Sequence, residues 1–187
     1  MKTRSALFIA LLVVAAAAGS ASAKVRNVTD PDAPRSLPEQ GPVGVHWEDP
    51  AQFADIRYSH NQAEARRGNW VEQLATHLRE RAQKRLPAGQ RLDVNITDID
   101  RAGDYEPWRG LQFQDVRFIR DLYPPRITLT FRRTDADGSV IAEGERKLSD
   151  SGFLMGSNST GSAGDPLRFE KSLLDRWLSR ELAAPSS

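Results

Sequence analysis

The sequence predicts an α+β fold two layers deep, in which a mainly antiparallel sheet carries two helices packed on one face. Three observations point there. Short segments alternate apolar and polar residues, as strands buried on one side do, while two longer segments repeat apolar residues at intervals of three and four, as helices do. A tight-turn sequence also joins two of the alternating segments, and strands joined that way run antiparallel.

The first alternating segment is residues 43–47, where Val43, Val45 and Trp47 share one side and Asp49-Pro50 ends the run. Between residues 61 and 86, Trp70, Val71, Leu74, Ala75, Leu78 and Ala82 form one helical stripe, closed by Pro87-Ala88-Gly89. Its start has two readings: Ser59 with Gln62 forms a capping box, or Gly68-Asn69 breaks the segment and restarts it. Leu92, Val94 and Ile96 make the next strand, which runs into an acidic turn over residues 98–104. Ile127, Leu129 and Phe131 repeat the pattern. Asp135-Ala136-Asp137-Gly138 then turns the chain back into residues 140–148, because glycine tolerates positive φ and aspartate bonds its own backbone. Residues 149–164, rich in Ser and Gly, read as a mobile loop with Phe153, Leu154 and Met155 pinning one end. Asp165 followed by Pro166 starts a last helix that runs to about Leu182 with Phe169, Leu173 and Trp177 at spacing four.

The ends of the chain carry a different message. Lys2 and Arg4 precede an apolar run over residues 7–18, and Ala21-Ser22-Ala23 supplies small residues in a cleavage-site pattern, so residues 1–23 read as a secretory signal peptide cut after Ala23. The apolar run is about twelve residues long, well under the roughly 20 a membrane-crossing helix needs. No integral membrane anchor is therefore expected after processing. Residues 24–42, broken by Pro31, Pro34, Pro38 and Pro42, read as a flexible leader; residues 43–183 form the single domain, and 184–187 a tail. The expected location is the periplasm rather than the exterior.

Charge narrows the classes of partner. Removing the signal leaves 24 Lys plus Arg against 25 Asp plus Glu, a balance that speaks against nucleic acid, which is bound by concentrated positive charge. The chain has no cysteine, which excludes disulfides, thiolate metal sites and a lipid on an N-terminal cysteine.

Candidate chemistry is sparse. Asp98, Asp100 and Asp104 are the densest carboxylates and the candidate ligands for a hard cation, yet Ala102 and Arg109 stand where a calcium loop places oxygen ligands. His46, His60 and His77 lack a compact ligand spacing, and no serine lies in a nucleophile elbow. No cofactor motif is present. The segment 105–123 is richer, with Tyr105, Trp108, Arg109 and Phe113 as candidate binding residues, because Trp and Arg in a connection on a rigid scaffold are typical of interaction surfaces. The competing reading packs these rings beneath the connection as a satellite core.

Several segments taken together resemble a known family: residues 97–104 (TDIDRAGD), 106–110 (EPWRG), 115–117 (DVR), 123–127 (YPPRI), 134–138 (TDADG), 143–146 (EGER), 165–171 (DPLRFEK) and 174–178 (LDRWL). They resemble the exported proteobacterial family catalogued as domain of unknown function 3016, across roughly residues 43–182. The resemblance implies a small protein of the bacterial envelope and supplies no reaction or catalytic residue. The expected function is a non-enzymatic periplasmic binding or interaction module whose partner is an envelope protein or component. The alternative is a metal-dependent hydrolase built on Asp98, Asp100 and Asp104.

Overall fold

A computed structural model describes residues 27–155 and 164–183; residues 1–26, where the signal peptide is expected, 156–163 and 184–187 lie outside them. The strands are β1 (Val43–Trp47), β2 (Arg91–Asp100), β3 (Asp104–Tyr105), β4 (Arg117–Phe118), β5 (Arg126–Thr134) and β6 (Val140–Ser149). The helices are α1 (Ala54–Arg57), α2 (Gln62–Arg66), α3 (Trp70–Gln83) and α4 (Arg168–Glu181). The main sheet has the order β1-β2-β5-β6, with β1 parallel to β2 and both other pairings antiparallel. A small second sheet pairs β3 with β4.

Strand alternation places the core. Val45, Val94, Phe131 and Gly144 stand side by side across the inner face, and Trp177 of α4 meets the Phe131 ring at 5.8 Å and 71°. Gly144 has no side chain to fill its place in that row, and the Arg146 guanidinium lies over Phe131 instead, 4.7 Å from the ring centre. The opposite face carries His46, Asn95, Thr130 and Glu145 in the matching row, a polar surface open to water. Helices α3 and α4 cover the inner face with the expected stripe of Trp70, Val71, Leu74, Ala75, Leu78 and Ala82 buried. His77 of α3 and Asp175 of α4 bridge the two helices at 3.1 Å, and Arg81 reaches the other Asp175 oxygen at 3.1 Å. Burial lowers the His77 pKa against the pull of Asp175.

Of the two readings of the stretch after residue 61, the structure takes the break at Gly68-Asn69: Gly68 at φ +92° turns the chain between α2 and α3, and Asn61 caps α2 by accepting the Glu64 amide at 3.2 Å. Other expectations are corrected. Two short helices, α1 and α2, join the predicted pair, and Phe53, Ile56 and Ala65 from this region enter the main core. The last helix begins at Arg168, since Asp165 spends its carboxylate on the Leu167 amide at 2.9 Å in a turn that precedes the helix. Of the three residues expected to pin the loop, only Phe153 is buried, edge-on to Phe169 at 4.8 Å, while Leu154 and Met155 face solvent.

The leader also differs from the expectation of a free segment. Leu37 donates to the Val45 carbonyl at 3.0 Å and Trp47 to the Arg35 carbonyl at 3.0 Å, so residues 35–37 cover part of the open edge of β1. Leu37 is buried in the main core. Proline removes donors along this stretch, but an edge strand needs only the residues between prolines to pair.

Candidate functional site

A β-bulge at Thr97 organises the far end of β2. The register with β5 skips that residue, which moves the buried positions from Leu92, Val94 and Ile96 to Ile99 and frees Asp98 to reach the start of α1. Its carboxylate accepts the Ala54 amide at 2.7 Å, serving a helix whose own N-cap residue, Phe53, has no side-chain acceptor.

Beyond the strand lies a buried ionic knot. Asp55, its side chain fully buried, accepts from Arg101 at 2.8 and 3.0 Å, from the Arg101 backbone amide at 3.0 Å and from Arg117 at 2.6 Å. Arg101 lies over the Trp70 ring at 4.3 Å, and Arg117 donates to the carbonyls of Ala102 and Arg101. Desolvation works against the Arg117 charge, yet Asp55 and Tyr105 hold its pKa above the ordinary value. The knot ties α1, the end of β2 and β4 together. Gly103 makes this possible: at φ +80° it passes so close to β4 that an added Cβ would lie 2.6 Å from the Phe118 carbonyl oxygen.

A second anchor supports the connection itself. Glu106 is buried and receives Arg109, Arg120 at 3.0 Å and the Tyr123 hydroxyl at 3.4 Å, while both guanidinium groups lie over Phe118. Asn61 of the α2 cap adds a tether, donating to the Gln114 carbonyl and to Asp115 at 3.0 Å each. On this frame Trp108 is 62% exposed and Leu111 84%, with Phe113, Val116, Ile119 and Leu122 also open to solvent. An exposed run of large apolar side chains held by buried charges is the reverse of a satellite core.

The predicted binding residues therefore divide. Trp108, Arg109 and Phe113 lie on this surface, Arg109 as both clamp and rim. Tyr105 does not: it is buried in the main core with Arg117 over its ring at 5.5 Å, and burial raises its phenol pKa.

The three candidate metal ligands are separated by their partners. Asp98 caps α1, Asp100 pairs with Arg126 at 3.1 Å, and Asp104 lies 2.6 Å from His60 Nδ1. No group of three or more His, Asp or Glu side chains suited to a metal ion forms among the described residues. Burial first, and then the Asp55 charge, raise the Asp100 pKa against the pull of Arg126. Asp100 and Asp104, with Tyr58, Arg117, Tyr123 and Arg126, line a polar cleft of about 120 Å³, which Asp98 does not join.

Sequence reasoning weighed His60 only as a metal ligand and gave Asp55, Glu106 and Arg117 no individual role. His60 pairs with Asp104, which lines the cleft, and its ring stands edge-on to Trp108 at 5.1 Å and 87°. Asp104 orients this half-exposed imidazole through Nδ1. No local spacing could have revealed the pair, because 44 residues separate the partners.

The family model described as Protein of unknown function (DUF3016) matches residues 41–180. The chain belongs to this family. Its match spans the whole sheet, α3 and nearly all of α4, so both the ionic knot and the exposed connection fall inside it. Neither the curated proteins nor the solved structures contain a match.

Proposed function

We propose that this DUF3016 protein is an exported, periplasmic interaction module that binds an envelope protein through the surface running from Trp108 to Leu122. The carrying observation is that Trp108, Leu111, Phe113 and Leu122 stay outside although Glu106, Arg109, Arg120 and the Asp55 knot hold their backbone in place. Contiguous apolar surface on a fixed frame costs solubility unless a partner covers it, and Trp and Arg are the residues that dominate the energetics of such contacts. The export part of this reading rests on residues 1–23, whose basic head, apolar run and small-residue site match a secretory signal. No helix among the described residues is long and apolar enough to cross a membrane.

Crosslinking and affinity capture from the native envelope test the binding surface. The double variant Trp108→Ala with Leu111→Ala, both exposed, is expected to lose a protein that the parent captures, while circular dichroism stays unchanged. An unchanged set of captured proteins would place the interface elsewhere. Export is checked separately by N-terminal sequencing of the protein recovered from the periplasmic fraction, with Lys24 expected as the first residue.

A further inference from the structure

The polar cleft beside the connection has a rim that belongs to the surface of the molecule and not to its core. Tyr58 is 69% exposed, Leu122 and Arg126 are exposed, and Asp100, Asp104 and Pro124 are partly open. Three other lining residues, Asp55, Arg101 and Arg117, are the ionic knot, so that part of the wall is fixed before any ligand arrives. A wall already ordered loses little conformational freedom when a ligand binds.

The polar groups of the rim stand in donor and acceptor pairs. Arg126 Nη1 donates to Asp100 at 3.1 Å, and Asp104 lies 2.6 Å from His60 Nδ1. Pairing does not exhaust either kind of group, since a carboxylate has about four acceptor positions and a guanidinium several N–H donors. A ligand seated beside such pairs has to donate and accept at neighbouring atoms, which a row of hydroxyls does and a simple ion does not. The volume agrees: about 120 Å³ holds roughly four water molecules at about 30 Å³ each, or the hydroxyl edge of one sugar ring in their place.

Two apolar features complete the match. The exposed Tyr58 ring has a negative face, which attracts the positive C–H bonds that a pyranose ring presents on its flat side. Leu122 and Pro124 line the same cleft and offer a small apolar patch that hydroxyls alone leave unused but a methyl group covers. We propose that the cleft binds a saccharide carrying an N-acetylated amino sugar, its hydroxyls toward Asp100, Asp104 and Arg126, its C–H face on Tyr58 and its acetyl methyl against Leu122 and Pro124. Leu122 is shared with the surface assigned to a protein partner, whereas Tyr58, Asp100 and Arg126 belong to the cleft alone. Either assignment can therefore fail without the other.

The test compares triacetylchitotriose with cellotriose, which differ only in carrying an acetamido or a hydroxyl group on each ring, by amide chemical-shift titration of the purified protein up to about 10 mM sugar. Triacetylchitotriose is expected to bind about tenfold more tightly, because it adds a covered methyl and an amide hydrogen bond, with shifts changing at residues 58–59, 100–104 and 122–126. Tyr58→Ala, at an exposed position, is expected to weaken that binding about fivefold, and Tyr58→Phe to keep the parent affinity, since the ring and not its hydroxyl makes the contact. Trp108→Ala with Leu111→Ala is expected to leave sugar binding unchanged while protein capture is lost. No shift with either sugar, equal affinity for both, parent affinity in Tyr58→Ala, or shifts centred on residues 108–113 would each overturn the proposal.

Discussion

The helical layer over the main sheet and the connection over residues 101–123 are built on opposite principles. In the first, fully buried Leu74, Leu78, Leu92, Ile96, Leu129 and Trp177 fill the space between two surfaces, with a few buried polar groups such as Asp175 bridging the helices. In the second, buried Asp55 and Glu106 have arginines closing over them, and from Trp108 to Leu122 most large apolar side chains are outside, although Tyr105 itself is buried. Apolar packing is non-directional and tolerates many arrangements, whereas a carboxylate shared by two guanidinium groups accepts few geometries. The difference teaches that the connection is held for position, and the layer for stability.

The sharpest way to break that comparison is to damage each region once. Leu129→Ala, in the central strand, is expected to lower global unfolding free energy by about 2–5 kcal/mol in urea. Asp55→Asn leaves two arginines facing a neutral amide and should cost about 3 kcal/mol, but through local opening. Hydrogen exchange separates the two outcomes. Leu129→Ala should weaken protection everywhere, while Asp55→Asn should release amides of residues 101–123 and spare β5. Equal loss in β5 for both variants would mean that the regions form one cooperative unit.

Gly103→Ala probes the junction between them. Positive φ and the 2.6 Å approach of a new Cβ to the Phe118 carbonyl oxygen predict a loss of about 2 kcal/mol, read from the urea midpoint. Retention of parent stability would show that β3 and β4 can separate without consequence for the rest.

How much of this was legible follows from the same contrast. The alternation at Val43, Val45 and Trp47 or at Ile127, Leu129 and Phe131, and the stripe from Trp70 to Ala82, are local repeats whose period names the element. The parallel pairing of β1 with β2 leaves no such trace, because its partners are joined through three helices. Ionic partners are worse still: Asp55 finds Arg101 and Arg117 at separations of 46 and 62 residues, and nothing periodic links them. Trp108 and Arg109 were legible as residue types suited to an interface, while His60 depends on a fold that brings the connection between α1 and α2 beside β3. The leader was misread because proline content describes local freedom and not the edge of β1 waiting beside it.

A smaller effect comes from Glu170, a buried acid where α4 meets the connection. Its carboxylate accepts the Ala102 amide at 2.7 Å, and burial raises its pKa above the ordinary 4.5 against the opposing pull of that amide, Arg101 and Arg117. A raised acid pKa in the folded state means that its favourable contribution is complete below about pH 4.5 and is lost as pH rises through the folded value. Glu170→Gln keeps an acceptor for Ala102 and removes the ionisation. Relative to the parent, its stability should therefore improve steadily as pH rises above 4.5, measured by urea titration at several pH values. A difference that stays flat with pH would show that Glu170 ionises in the folded state as easily as in the unfolded one.

The smallest stability effect belongs to the exposed surface, and its smallness is the point. Trp108→Ser and Leu111→Ser remove side chains that are 62% and 84% exposed, so each should change unfolding free energy by less than about 0.5 kcal/mol. If instead either costs as much as Gly103→Ala, the ring or the isobutyl group contributes to holding the connection, and its exposure cannot be assigned to a partner. A near-zero change combined with loss of the captured protein separates the two roles cleanly: the buried carboxylates Asp55 and Glu106 position the backbone, and the apolar side chains they hold outward make the contact.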